Sequence, residues 1–254
     1  MTLRTVTATR YVTPLREGGS LPAIVEGDDD GLYVLKFRGA GQGPRALVAE
    51  VIAGELARAA GLAVPEIVLV ELDPDMARTE PDPEIQALIR ASAGLNMALD
   101  YLPGSVMFDP VVEAPDSGIA SAVVWFDAYV TNIDRTARNV NLLTWHRRLW
   151  LIDHGAALYF HHADGDYAGR IRDPFKQVAR HVLLPFATQL AEADARMPGL
   201  LDRASIERIC GLVPAAWLEG GLPRDAYIDY LTRRLEAPRA FAEEAQRAHD
   251  ALHV

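Results

Sequence analysis

The chain has 254 residues, half of them apolar and about a quarter charged, an ordinary globular composition with enough chain for one large domain or two packed lobes. Its formal net charge of -10 argues against a dedicated nucleic-acid binder, because no basic face offsets repulsion by phosphates. Cys210 is the only cysteine, which excludes an intramolecular disulfide and a cysteine-based zinc cluster and makes the residue a small buried apolar side chain.

The first residues, MTLRTVTATRYV, alternate instead of forming the apolar stretch of a signal peptide. TVTATRYV reads as a strand, REGGS breaks it, PAIVEG resumes it, and DDDG turns the chain into LYVLKF. These three runs predict an antiparallel start. RGAGQGP then leads into a helix: Pro44 suits a first helical position, Leu47, Val48, Val51, Ile52 and Leu56 recur at helical spacing, and Gly61 suits the C-terminal end. VPEIVLVEL is another strand, DPDMARTEPDPE an exposed acidic loop with a short helix behind it, and LNMALDYLPG a strand closed by a Pro-Gly break.

After Gly104 the texture changes. Residues 119–130 predict a buried helix, whose apolar run is too short to span a membrane and is interrupted by Asp127. NVNLLTWHRRLWLIDH predicts a hairpin turning near His146 and Arg147, and helical patterns dominate from Phe175 onward. The order predicts an α+β fold with a β-rich part carrying one long helix (1–103) and a helix-rich part (104–254), in a soluble, cytoplasmic protein.

Within this frame TNIDRTARNVNLLTWHRRLWLIDHGAAL sets Asp134, Asn139 and Asp153 between strand-like runs. Two carboxylates and an amide in this order suit phosphoryl transfer. One carboxylate accepts the proton of an attacking hydroxyl, while an amide oxygen and a second carboxylate hold Mg²⁺ on nucleotide phosphates. Singly, each residue reads as a turn or cap; the combination carries the signal.

Lys36 ends the strand LYVLKF, and Glu50 lies beside the apolar stripe of the next helix. A Lys36–Glu50 pair would set an ammonium against the α- and β-phosphates, with Glu55 as the rival acid. Two glycine clusters compete to cradle phosphates: Gly18-Gly19-Ser20 between the first strands, favoured by position, and Gly39, Gly41 and Gly43 ahead of the helix. Neither is followed by the G-K-[ST] of a Walker A loop. His161-His162 reads as a mobile polar loop, and His181, His249 and His253 as surface helix residues. G-x-S-x-G is absent.

YVLKF, PRALVAEVIAGELARAAGLAVPEI, NIDRTARN and LIDHG together resemble the HipA-like kinases, compact bacterial relatives of the HipA toxin kinase that are distantly similar to phosphatidylinositol kinases. The resemblance runs from about Val6 to Leu158. It implies a two-lobed protein-kinase-like fold using ATP and Mg²⁺, with Asp134 as catalytic base, Asn139 and Asp153 as metal ligands and Lys36 as the phosphate-binding lysine. LNMALDYLP would join the lobes, its backbone at Ala98, Leu99, Asp100 and Tyr101 facing adenine. Two departures stand out: Thr136 replaces a histidine frequent among relatives, and Asp-His-Gly replaces the Asp-Phe-Gly of conventional kinases. The implied activity is ATP- and Mg²⁺-dependent transfer to a hydroxyl, first of all Ser or Thr of a protein. A small molecule or lipid head group as acceptor, and a non-catalytic nucleotide-binding protein, are the alternatives. No nucleic-acid or membrane partner is expected.

Overall fold

The computed structural model describes residues 2–15, 21–41, 43–162 and 167–253. The REGGS break and the Gly18-Gly19-Ser20 cluster within it lie outside the described residues.

Strands β1 (Thr5–Pro14), β2 (Ala23–Gly27) and β3 (Leu32–Lys36) form the antiparallel start expected from their alternation. The helix α1 (Pro44–Ala59) follows, with Pro44 in its first turn. Gly61 then takes a left-handed φ of 83°, a conformation that ends a helix without the Cβ penalty of other residues. Strands β4 (Ile67–Leu72) and β5 (Gly94–Asp100) close a five-stranded barrel in the order β1-β2-β3-β5-β4. Closure comes from a parallel pairing of β1 with β4, which no local pattern announces. Between β4 and β5 most of the acidic segment is exposed, as expected. It folds as a 3₁₀ turn (Pro74–Thr79) and helix α2 (Pro83–Ala91), with Ala77 and Glu80 buried.

A second sheet, in the order β6-β7-β8, contains β6 (Val106–Met107), β7 (Leu142–Trp145) and β8 (Arg148–Leu151). The β7–β8 turn places His146 and Arg147 at φ 47° and 60°, as a two-residue hairpin turn requires. Helix α3 (Ser117–Tyr129) begins at the Asp116 cap, whose carboxylate accepts the Ile119 N–H at 2.9 Å. It is buried along its length from Ala120 to Tyr129. Against it pack α4 (Leu190–Arg196) and α7 (Ala240–Asp250); α6 (Arg224–Arg234) reaches it where the Tyr129 hydroxyl donates to the Leu231 carbonyl at 3.1 Å, and α5 (Arg203–Cys210) packs on α1 and α6. Cys210 is buried, and burial pushes its thiol up to about 12.

The end of α3 is fixed by Arg234. Its guanidinium donates to the carbonyls of Ala128 (3.0 Å) and Tyr129 (2.9 Å), and to those of Ile171 (2.9 Å) and Asp173 (2.8 Å). It also stands 4.9 Å from the Phe241 ring centroid. One planar cation thus satisfies helix-terminal carbonyls that would otherwise be buried without donors.

Three histidines depart from expectation. His161 lies in a 3₁₀ turn (Tyr159–His162), buried and 3.2 Å from the Tyr227 hydroxyl. His181 and His249 are buried rather than on the surface. An imidazole can enter a core when its nitrogens find partners, and residue type alone does not reveal whether they do. The side chains of His162 and His253 are outside the described set.

Candidate active site

Lys36, at the end of β3, extends to two carboxylates. Its Nζ donates to Glu50 Oε1 and, at 2.6 Å, to Asp153 Oδ1. Glu50 is 1% exposed at its side chain, whereas Asp153 is 42% exposed, so the group faces solvent through Asp153. Glu55 makes an ion pair with Arg58 at 3.4 Å on its own helix, which leaves Glu50 as the partner of Lys36.

The second oxygen of Glu50 accepts the backbone N–H of His154 at 2.9 Å. α1 and the segment after β8 therefore meet at one carboxylate. Gly155 eases their approach, because a Cβ there would lie 3.2 Å from Glu50 Oε1, tighter than an ordinary contact. Asp153 itself has φ 55°, a left-handed conformation that is uncommon outside glycine and concentrates at functional sites.

The electrostatics follow from one cation shared between unequal carboxylates. Burial works against the Lys36 ammonium, but Glu50 and Asp153 outweigh it and hold its pKa above the ordinary lysine value. The ammonium keeps Asp153 well below the carboxylate range. Glu50 is pushed up to about 7, chiefly by burial, with the Asp153 charge adding to the shift and Lys36 opposing it.

His154 is fully buried, and neither ring nitrogen has a hydrogen-bond partner among the described residues. Burial, helped by the nearby Arg135 charge, lowers its pKa to about 3. A neutral ring therefore occupies the position after Asp153, which makes Asp-His-Gly physically close to Asp-Phe-Gly.

Asp134 and Asn139 meet across a loop between α3 and β7. Asn139 Nδ2 donates to Asp134 Oδ2 at 2.7 Å, and the Thr136 N–H donates to the Asn139 carbonyl at 2.9 Å. Burial raises the Asp134 pKa, and the Asp153 charge raises it further against the effect of Asn139. Because the side-chain amide of Asn139 turns its N–H to Asp134, its side-chain oxygen Oδ1 is left without a hydrogen-bond partner among the described residues.

Beneath this loop lies a group that sequence reading missed. Asp127, inside apolar α3, accepts from Arg135 Nε at 2.5 Å, Asn132 Nδ2 at 3.1 Å and His181 Nε2 at 2.9 Å. The Leu183 N–H donates to His181 Nδ1 at 3.0 Å, so Nε2 carries the proton shared with Asp127. Arg135 Nη1 continues to the carbonyls of Asn141 and, at 3.2 Å, Ile152. One guanidinium thereby fixes the backbone next to Asp134, two residues beyond Asn139 and immediately before Asp153. The available signal was a lone aspartate in an otherwise apolar helix, eight residues before an arginine.

Two amides of the second glycine cluster, and the β5 backbone expected to face adenine, are already hydrogen-bonded. The N–H groups of Gly39 and Gly43 are occupied by Ser92 Oγ (3.0 Å) and the Ala40 carbonyl (2.9 Å), so these two do not offer donors to a phosphate. β5 is paired on both sides, and the N–H groups of Asp100 and Tyr101 donate at 2.9 Å to the carbonyls of Glu66 and Leu32. The side chains of Ala98 and Leu99 are buried. Among the described residues the N–H of Leu102 has no partner, which moves the available donor one residue beyond Tyr101.

The Asp127–Arg135 pair has no exposed side-chain surface on either partner, so removing one charge strands the other. Arg135→Met is expected to lower stability by about 3–5 kcal/mol at neutral pH. Burial opposes the Asp127 charge, but Arg135 and His181 hold its pKa below the ordinary value. Its contribution is therefore complete above the unfolded-chain pKa of about 4 and is lost as pH falls through the lower native value. Urea unfolding should show a larger native-minus-variant difference at neutral pH than in acid; a deficit below about 1 kcal/mol at neutral pH would match an exposed pair instead.

The HipA-like kinase family matches residues 9–239. No curated protein sequence matches the chain. Among solved structures, the Helicobacter pylori proinflammatory kinase CtkA is similar at TM-score 0.57 and 14% identity, over 99% of each chain. A Golgi casein kinase with Mn/ADP bound is similar at TM-score 0.52 and 12% identity, over 100% of this chain and 74% of that one. These two likenesses are of fold, and they agree with the family match. The chain belongs to the HipA-like kinase family.

Proposed function

We propose that this kinase transfers the γ-phosphoryl group of ATP, with Mg²⁺, to a Ser or Thr hydroxyl of a protein in the cytoplasm. The observation that carries this reading is Lys36 held between buried Glu50 and half-exposed Asp153. That arrangement presents a fixed cation beside a carboxylate still open to solvent, as polyphosphate binding requires. The similar Golgi casein kinase structure contains Mn and ADP, which supports nucleotide and divalent-cation use in this fold.

On this reading residues 1–103 form a nucleotide-binding lobe and residues 104–254 a mainly helical catalytic lobe, joined near Pro103. Lys36, oriented by Glu50, contacts the α- and β-phosphates. The Leu102 N–H serves adenine, adjoining the originally expected Ala98–Tyr101 stretch, and Gly18, Gly19 and Ser20 cover the phosphates.

Asp153 and the side-chain oxygen of Asn139 would hold Mg²⁺. Both are hard oxygen donors, and Mg²⁺ needs few protein ligands because phosphates and water complete its octahedron. When bound it neutralises charge on the transferring phosphates. Asp134, kept in place by Asn139, orients the acceptor hydroxyl and takes its proton as the oxygen attacks phosphorus.

Asp134→Asn preserves shape while removing the proton acceptor. Transfer of label from ATP should fall roughly 10²–10⁴-fold, with ATP affinity little changed. Since burial raises the Asp134 pKa, the native rate should fall on the acid side at a higher pH than an unperturbed aspartate would give, as the base becomes protonated. A folded variant that transfers at the native rate removes Asp134 from the mechanism.

Lys36→Met should abolish most transfer, whereas Lys176→Met, at the exposed start of a 3₁₀ turn (Lys176–Arg180), should leave it intact. Single-turnover assays normalised to folded protein separate the two; equal losses would mean that Lys36 has no special part.

A further inference from the structure

Five of the ten exposed large apolar side chains among the described residues fall between residues 106 and 119: Val106, Met107, Val111, Val112 and Ile119. Val111 and Val112 are 92% and 82% exposed. They are held outward by local bonding: Asp109 Oδ1 accepts the Val111 N–H at 2.8 Å, and the Asp109 carbonyl accepts those of Val112 and Glu113 at 3.1 Å each. The turn thus presents two adjacent isopropyl groups as an ordered knob. Val106 and Met107, on the edge strand β6, extend the apolar surface.

Immediately beside the knob is a cavity of about 210 Å³. It opens between the α1–β4 turn, the β7–β8 hairpin and the segment leading into α3. Leu62, Phe108 and Leu151 contribute apolar surface, while Glu113 stands on one wall and Arg147 and Arg148 on another. The side chains of Glu113 and Arg147 make no hydrogen bond or ion pair among the described residues. The surface therefore carries an apolar projection, an apolar recess and unpaired charges of both signs within a few residues of one another.

We propose that this face binds a second copy of the chain across a two-fold axis. A two-fold interface requires one surface to complement itself, and a projection adjoining a recess does so. Across the axis each copy's Val111 and Val112 enter the other's recess, where its Glu113 meets the other's Arg147 and Arg148. The opposed charges matter because each chain carries a net charge of -10, so two copies repel unless their contact is locally complementary. A cluster of exposed apolar side chains beside polar groups is characteristic of an interaction surface. The mixture of signs on this rim favours a copy of itself over a uniformly basic partner.

Sedimentation velocity and light scattering across a dilution series test the proposal independently of kinase activity. The native chain should form a reversible dimer. Val111→Asp with Val112→Asp, checked for native folding by thermal melting, should weaken it roughly 30-fold or more, as expected for central anchor side chains. Arg147→Glu, a change at an exposed charge, should also weaken it. A native chain that stays monomeric at the highest concentration overturns the proposal, as does a dimer unaffected by either variant. A monomeric native chain whose valine variant loses transfer to a protein acceptor also overturns it, and assigns the patch to that acceptor.

Discussion

Asp127 and Arg135 face one another with no solvent-exposed side-chain surface, and the loop carrying Asp134 and Asn139 depends on that pair. A buried ion pair is not in itself a strong source of stability, since desolvation offsets much of the attraction. Its consequence here is geometric. Asp127 is immobile within α3, and each of its partners, Asn132, Arg135 and His181, belongs to a different part of the loop or of the chain packed beneath it. Arg135 then spends Nη1 on the carbonyls of Asn141 and Ile152. The position of three polar residues relative to one another is set from below by a charge that cannot move without being stranded.

Lys36 makes the complementary connection from the barrel side. Its two carboxylates come from α1 and from the residue after Ile152, so a single ammonium joins the five-stranded barrel, the helix packed on it and the loop following β8. The inequality between the acids has chemical meaning. Glu50 is buried and also tied to the His154 N–H, which suits an orienting role, whereas Asp153 retains exposed oxygen surface. Burial of His154 as a neutral ring keeps a further positive charge away from this group.

Much of this was legible in the sequence because it depends on local pattern. Alternation marked β1 to β3, Pro44 and Gly61 bracketed α1, and the 146–147 turn followed from the two short runs around it. The Asp134, Asn139 and Asp153 cluster was visible because polar residues interrupted apolar runs at fixed spacing. What was not legible is nonlocal. The parallel β1–β4 pairing joins segments some sixty residues apart, as between Val6 and Val70. His181 looks like a surface residue until Asp127 and the Leu183 N–H are placed around it. The donor at Leu102 appears only once the neighbours of Asp100 and Tyr101 have claimed their N–H groups.

Calorimetric titration of ATP with and without Mg²⁺ probes the proposed metal–nucleotide site at Asp153 and Lys36. The native chain should bind ATP more tightly with Mg²⁺ present, and Asp153→Asn, normalised to folded protein, should lose that enhancement. An Asp153→Asn protein that folds and retains the full Mg²⁺ enhancement would contradict that site.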